Sequence, residues 1–232
     1  MKKKKIDCIS RFIKKAGIKA KPEDLINSFV HRSYLNETKD VSLENNERLE
    51  FLGDAVLELV STEFLYNKYK NKSEGELTAL RSALVRGKNL SGTAEKLGVF
   101  DCLFLSKGES RASGKARGLI LANTIEAIIG AIYLKSSLDE ARKFIHNHIL
   151  SIIDKVISDK LYVDSKSEFQ ERTQEKEKIT PHYKVVEEEG PDHNKNFISG
   201  VYIGNKLIAK GRGASKSQAE QDAARKALEI SF

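Results

Sequence analysis

The sequence predicts two domains of different class, an all-α domain followed by a small α+β domain, and three observations carry that prediction. From the N-terminus to about Asp159 the apolar residues recur at helical spacing, as in Ile6, Ile9, Phe12 and Ile13 and again in Leu49, Leu52, Val56, Leu59 and Val60. After a polar joint, Ser158 to Ser167, one short helical stretch gives way to the shorter period of strands. Gly204-Asn205 then separates two of those strands as a two-residue hairpin turn. The boundaries read as a domain over 1–159, a linker over 160–163 and a second domain over 164–232. At roughly 100–200 residues per domain, the chain is long enough for both to bury a core.

In the first domain, Pro22 followed by Glu23 and Asp24 marks a helix start, and the stretch from Ser106 to Gly118 reads as a mobile loop between helices. Leu119 to Leu134 is nearly all apolar and reads as a buried helix. Roughly seven to nine helices are expected there. In the second domain the strands fall at about His182 to Glu187, Phe197 to Ile203 and Lys206 to Lys210. The closing helix carries Ala219, Ala223, Ala224, Ala227 and Leu228, a stripe of small residues suited to lying close on a sheet. The order is α-β-β-β-α.

Composition narrows the function classes. Hydrophobic residues make up 40% and charged residues 31%, which argues against disorder. Forty Lys and Arg against 33 Asp and Glu leave a net +7, which suggests a partner bearing phosphate. The longest apolar run, Ala127 to Leu134, is far short of the ~20 residues that span a bilayer, and the segment after the N-terminal lysines is too polar for a signal peptide. A cytoplasmic protein with no membrane partner is expected. Cys8 and Cys102 form no C-x-x-C pattern, so reduced thiols are expected, with neither a disulfide framework nor a zinc site.

The segment Asn46 to Asp54 (NERLEFLGD) sets Glu47, Glu50 and Asp54 at i, i+3 and i+7, on one stripe of a helix otherwise covered by Leu49, Phe51, Leu52, Ala55 and Val56. Like charges at this spacing repel, so a cation belongs beside them. The apolar helix Leu119 to Leu134 carries Asn123 and Glu126, and an unpaired glutamate in such a helix is costly. If the two helices pack face to face, Glu50, Asp54, Asn123 and Glu126 make an oxygen-only cluster that suits Mg²⁺ or Mn²⁺ and not zinc. Pairing of these acids with Lys or Arg from elsewhere is the alternative at this point.

NERLEFLGD closely resembles the signature of ribonuclease III. His31 to Glu37, Gly75 to Val85 and Asn123 to Leu134 look like the other blocks of that family's catalytic domain, in the same order. The resemblance covers essentially the whole chain. It implies hydrolysis of phosphodiester bonds in double-stranded RNA with Mg²⁺ (Mn²⁺ as substitute), leaving a 5′-phosphate and a 3′-hydroxyl, in the processing of rRNA precursors and other structured transcripts. By match to the family motif, Glu50, Asp54, Asn123 and Glu126 are the metal-site residues, and Glu47 and Glu74 correspond to acids near the substrate strand. Phe51 matches a residue that packs across a dimer contact. A homodimer also suits the substrate, since a two-fold axis places one identical site on each antiparallel strand. The chain departs from the family at Asn123, where aspartate is usual, which implies an active enzyme with weaker cation affinity. A non-catalytic duplex-binding protein is the rival; retention of Glu50, Asp54 and Glu126 argues against it. A DNA-directed metal nuclease is disfavoured by the second domain.

That second domain is similar to the double-stranded-RNA-binding domain. From Asp164 to Phe232 there are 12 basic and 12 acidic residues, so the excess of +7 belongs to the first domain. Distribution still favours RNA: His193 to Ser217 holds Lys195, Lys206, Lys210, Arg212 and Lys216 with no acid, while Glu187, Glu188 and Glu189 precede it, so one edge is expected basic and another acidic. Duplex RNA presents 2′-hydroxyls in a shallow minor groove and phosphates along the major groove. Gln170 and Gln174 on the first helix suit one minor groove, His193 in the loop from Gly190 to Asn196, which also holds Lys195, suits the next, and Lys216 with a helix N-terminus suits the phosphates. Ser215 with Gln218, or Ser217 with Glu220, is expected to cap the last helix. The family usually has two adjacent lysines where this chain has Lys216 and Ser217, which implies a weaker phosphate contact.

Overall fold

The structure, a computed structural model, describes residues 2–38, 42–159, 162, 165–191 and 195–231. The chain divides into two compact units, 1–162 and 163–232. The expected linker lies outside the described residues except for Tyr162, and so do Asp164 and His193.

The first unit is helical throughout: α1 (Lys2–Ala16), α2 (Pro22–Leu25), α3 (Arg32–Glu37), α4 (Glu47–Lys68), α5 (Glu74–Val85), α6 (Gly87–Leu97), α7 (Val99–Cys102), α8 (Gly114–Lys135), α9 (Leu138–His148) and α10 (Ile153–Ser158). That exceeds the expected number because α2 and α7 have four residues each, too few to show a period. The loop expected over Ser106 to Gly118 is shorter than predicted. It holds a 3-10 turn, Glu109–Arg111, and α8 already begins at Gly114.

The core is organised around α8, which packs on α4, α6 and α9. At 22 residues α8 is long and apolar enough to cross a membrane, unlike the short run read from sequence. Its apolar side chains are instead spent on the core, Ile120, Leu121, Ile125, Ile128, Ile129 and Ile132 all being buried. The close contact of α4 with α8 depends on two glycines. A Cβ at Gly53 would lie 2.8 Å from the Gly130 nitrogen and closer still to the Glu126 carbonyl, and a Cβ at Gly130 would lie 3.1 Å from the Gly53 nitrogen and closer to the Leu49 carbonyl. The obstacles are backbone atoms, which cannot rotate aside as a side chain can.

The expectation of free thiols is corrected: Cys8 on α1 and Cys102 on α7 are joined as a disulfide. They are 94 positions apart in sequence, yet the packing of α1 against α7 brings their Cα atoms to 5.3 Å.

The second unit contains α11 (Ser165–Glu177), β1 (His182–Glu189), β2 (Asn196–Ile203), β3 (Lys206–Gly213) and α12 (Lys216–Ser231). Its three strands form an antiparallel sheet in the order β1-β2-β3, with irregularities at Val185/Glu187 and Val201/Tyr202. Ile203 pairs with Lys206 across the predicted turn, where Gly204 has φ 56°, a conformation glycine adopts without steric cost. The alanine stripe does what its size allows: Ala219, Ala223, Ala224 and Ala227 are fully buried, and a Cβ on Gly213 would come within 2.6 Å of the Ala219 nitrogen.

Candidate active site and duplex-binding face

The start of α4 is anchored before its acids are presented. Asn46 is buried, and its backbone N–H donates to the Val30 carbonyl at 2.9 Å. Glu47 follows in the first turn, paired at 3.4 Å with Arg32 across an exposed surface where such a pair adds little stability. One turn on, burial pushes the carboxyl of Glu50 above its ordinary range; the nearby Asn123 side chain opposes that shift, and repulsion from Glu47 and Asp54 adds to it. Glu126, on the apolar α8, is pushed up to about 7 by burial first and then by the charges of Asp54 and Glu50.

The crossing of α4 and α8 thus brings Glu50, Asp54, Asn123 and Glu126 into mutual electrostatic reach, with Glu47 beside Glu50. No Lys or Arg is among the described groups that shift Glu50 or Glu126, so the ion-pair alternative has no partner for either. Among the described residues, no group of three or more His, Cys, Asp and Glu side chains stands close enough to enclose an ion. Mg²⁺ does not require that, because it usually keeps several waters and takes one or two carboxylates. A set of hard oxygen donors on two adjoining helices fits it.

Glu74 is not among the groups that shift these acids; it is exposed in the first turn of α5 and accepts a hydrogen bond from Thr78 Oγ1 at 3.2 Å. Its helix starts there because Ser73 and Glu76 form a reciprocal capping box. Two histidines serve the fold: His31 Nδ1 accepts from the Ser33 N–H at the start of α3, and His148 Nε2 lies 3.0 Å from the Ala16 carbonyl.

Phe51 follows Glu50 but faces away from the core, 82% exposed, so it is no part of the protomer's own packing. Leu134 is also exposed, and both line a concavity of about 710 Å³ with Leu49, Leu52 and Ala131. Gly53 and Gly130 are the residues that sequence reasoning missed. The available signal was an isolated glycine inside each of two otherwise well-formed helices, which usually has a packing reason.

In the second unit Gln170 and Gln174 are both exposed on α11, Gln174 donating to Thr180 Oγ1 at 3.0 Å. Of the two expected caps, Ser215 is used: its Oγ accepts from the Gln218 N–H at 3.2 Å, while Gln218 Oε1 accepts from the Ala214 N–H. The expected separation into basic and acidic edges is corrected. Lys195 pairs with Glu188 at 3.0 Å, Lys216 approaches the same carboxylate at 3.9 Å, and Arg212 pairs with Glu189. The end of β1 runs beside β2 and the start of α12, so acids distant in sequence lie against these cations.

Residues 22–153 match the ribonuclease-III-like family, and residues 165–230 match the double-stranded RNA binding motif. The chain is 43% identical over 208 residues to ribonuclease 3 of Desulforamulus reducens, covering 90% of this chain and 85% of that one. It is 44% identical over 209 residues to ribonuclease 3 of Carboxydothermus hydrogenoformans, covering 90% and 89%. The nuclease domain of a ribonuclease III from Campylobacter jejuni, described as flexible in a region involved in dimer formation, matches with a TM-score of 0.54 at 37% identity, covering 63% of this chain and 96% of that one. With acids gathered at a glycine-mediated helix crossing in the first unit and an α-β-β-β-α order in the second, the chain belongs to the ribonuclease III family and is an endoribonuclease of double-stranded RNA.

Proposed function

We propose that cleavage is metal-assisted, with Mg²⁺ held by Glu50, Asp54, Asn123 and Glu126, and that it leaves 5′-phosphate and 3′-hydroxyl ends. The observation that carries this reading is the close crossing of α4 and α8, which sets Glu126 against Asp54 and Glu50 with no cation among the groups that shift it. When bound, the ion lowers the pKa of an attacking water and offsets charge on the phosphorane and the leaving 3′ oxygen. Asn123 favours the ionised form of the neighbouring Glu50 carboxylate and offers its own Oδ1 as a neutral donor. Glu126 releases its carboxyl proton to become a ligand. Glu47 and Glu74 stand outside the four and act toward the substrate strand.

The same reading gives a homodimer through the exposed Phe51 face, with Gln170, Gln174, His193, Lys195 and Lys216 on the duplex. Lys195 and Lys216 must exchange Glu188 for phosphate, which lowers the net gain of each contact. Structured transcripts in the cytoplasm, rRNA precursors among them, are the proposed substrates. In a reducing compartment the Cys8–Cys102 bond, whose two residues are buried at 9% and 1% exposure, opens to two thiols. The test is to incubate a long perfect RNA duplex and its DNA counterpart with Mg²⁺ or EDTA and to identify product ends. Mg²⁺-dependent cutting of RNA alone, with 5′-phosphate ends, is expected; EDTA-resistant cutting overturns the metal assignment.

A further inference from the structure

The excess positive charge of this chain is concentrated in one helix. Lys2–Ala16 contains seven cations, Lys2 to Lys5, Arg11, Lys14 and Lys15, against the single acid Asp7, so α1 carries +6 of the net +7. Elsewhere in the first unit positive and negative charges nearly balance, and some pair directly, as Arg142 with Glu63, Arg81 with Glu58 and Lys72 with Glu76. On α1 the pattern is different. Lys5 donates to the Asp101 carbonyl at 2.7 Å and Lys15 to the Lys96 carbonyl, whereas Lys3, Lys4, Arg11 and Lys14 are exposed and have no ion-pair partner among the described residues.

Helical geometry gathers these cations on one side. At about 100° per residue, Lys3, Lys4, Arg11, Lys14 and Lys15 fall within about 120° of one another, with Asp7 in the same sector. The opposite side is committed to the core through the buried Ile9, Phe12 and Ile13. The lysines also break a local rule. Four occupy the first turn with no acid there, although the helix dipole disfavours cations at that end. Local rules are typically broken where function compensates, and an anion on this face supplies the compensation.

We infer that the exposed face of α1 is a phosphate-backbone contact for duplex RNA, additional to the acid cluster and to the second unit. Charge complementarity selects this occupant. The established substrate is a polyanion, yet the second unit has no net charge and its Lys195, Arg212 and Lys216 are engaged by Glu188 and Glu189. That leaves α1 as the main source of uncompensated positive charge. It packs on α2, α6 and α7, while the acids lie on α4 and α8, so it extends the footprint along the substrate and takes no part in bond cleavage.

The test uses the full chain with Lys3→Gln, Lys4→Gln, Arg11→Gln and Lys14→Gln combined, all exposed positions. An unchanged thermal midpoint and circular dichroism spectrum certify the fold, and a second variant, Lys3→Arg, Lys4→Arg and Lys14→Arg, keeps the charge. Binding is measured in EDTA over a salt series, on a duplex of about 16 base pairs, the span of one double-stranded-RNA-binding domain, and on one several times longer. Each phosphate contact contributes about 0.9 to the slope of log affinity against log salt. The glutamine variant is expected to lose about 2–4 from that slope on the long duplex, to raise KM and to leave kcat unchanged, while the arginine variant matches the parent. An unchanged slope and KM in a folded glutamine variant overturns the inference. So does an unchanged slope on RNA accompanied by lost adsorption to anionic phosphatidylserine vesicles, which assigns the face to lipid. The inference rests on duplex RNA as substrate but not on the metal assignment, since the EDTA slopes read α1 even if Mg²⁺-dependent cleavage fails.

Discussion

The neutral side chain of Asn123 on α8 stands near enough to the carboxylate of Glu50 on α4 to favour its ionised form, a relationship between the two helices that carry the acids. An ionised aspartate at 123 would repel that carboxylate instead. With its acids ionised, the four-residue cluster carries −3 with asparagine where aspartate would make it −4.

Asn123→Asp is accordingly expected to lower the Mg²⁺ concentration for half-maximal cleavage while changing the saturated rate less. In EDTA the same substitution should lower thermal stability, because a like charge replaces a neutral side chain beside Glu50. Titrating Mg²⁺ and melting both proteins checks the pair. Identical titration curves would remove residue 123 from the metal site, and a parent that cuts at no Mg²⁺ concentration would mark it as a dead site.

The raised carboxyl of Glu126 predicts a pH dependence with a definite sign. In the folded, metal-free chain this group keeps its proton up to about 7, whereas in the unfolded chain it ionises near its ordinary value of 4.5. Between these two values the native state binds more protons than the unfolded state, so stability falls as pH rises and levels off above 7. Glu126→Gln should flatten that decline, raise the EDTA melting temperature at pH 8 and abolish cleavage while retaining duplex binding. Parallel melting profiles for the two proteins would mean that the carboxyl titrates normally.

For Phe51→Ala the exposure of the ring decides where the loss appears. The side chain fills no space within its own protomer, so truncation leaves no cavity there. If it anchors the dimer, the dimer constant should weaken by about 2 kcal/mol or more, as for a central interface residue. Sedimentation equilibrium should show dissociation, with an unchanged circular dichroism spectrum. A dimer constant equal to the parent's would assign Phe51 no role in assembly.

Gly130→Ala tests the helix crossing itself. The added methyl meets the Leu49 carbonyl, so α4 and α8 must separate, at a stability cost of about 1–3 kcal/mol. Displacing the acids by about 1 Å should cost on the order of a hundredfold in rate. Activity well below the melting temperature is the informative measurement, because a loss there reflects geometry and not unfolding. Full activity at that temperature would show that the acids tolerate a wider crossing.

The sequence by itself determined the class and order of both domains, because those depend on periodicity: helical spacing up to Asp159, then strands bounded by Gly204-Asn205, then a small-residue helix. It also nominated Glu50, Asp54, Asn123 and Glu126, because three acids on one helical stripe and a glutamate in an apolar helix are costly wherever they occur. Only the tertiary structure decided that α4 and α8 cross closely enough for those residues to meet, since that depends on backbone approach at Gly53 and Gly130. It alone paired Cys8 with Cys102, placed Glu188 and Glu189 against Lys195, Lys216 and Arg212, and turned Phe51 outward. Each of these joins residues far apart in the chain or sets a side chain's exposure against distant elements. A local pattern carries no information about such distances until packing brings the elements together.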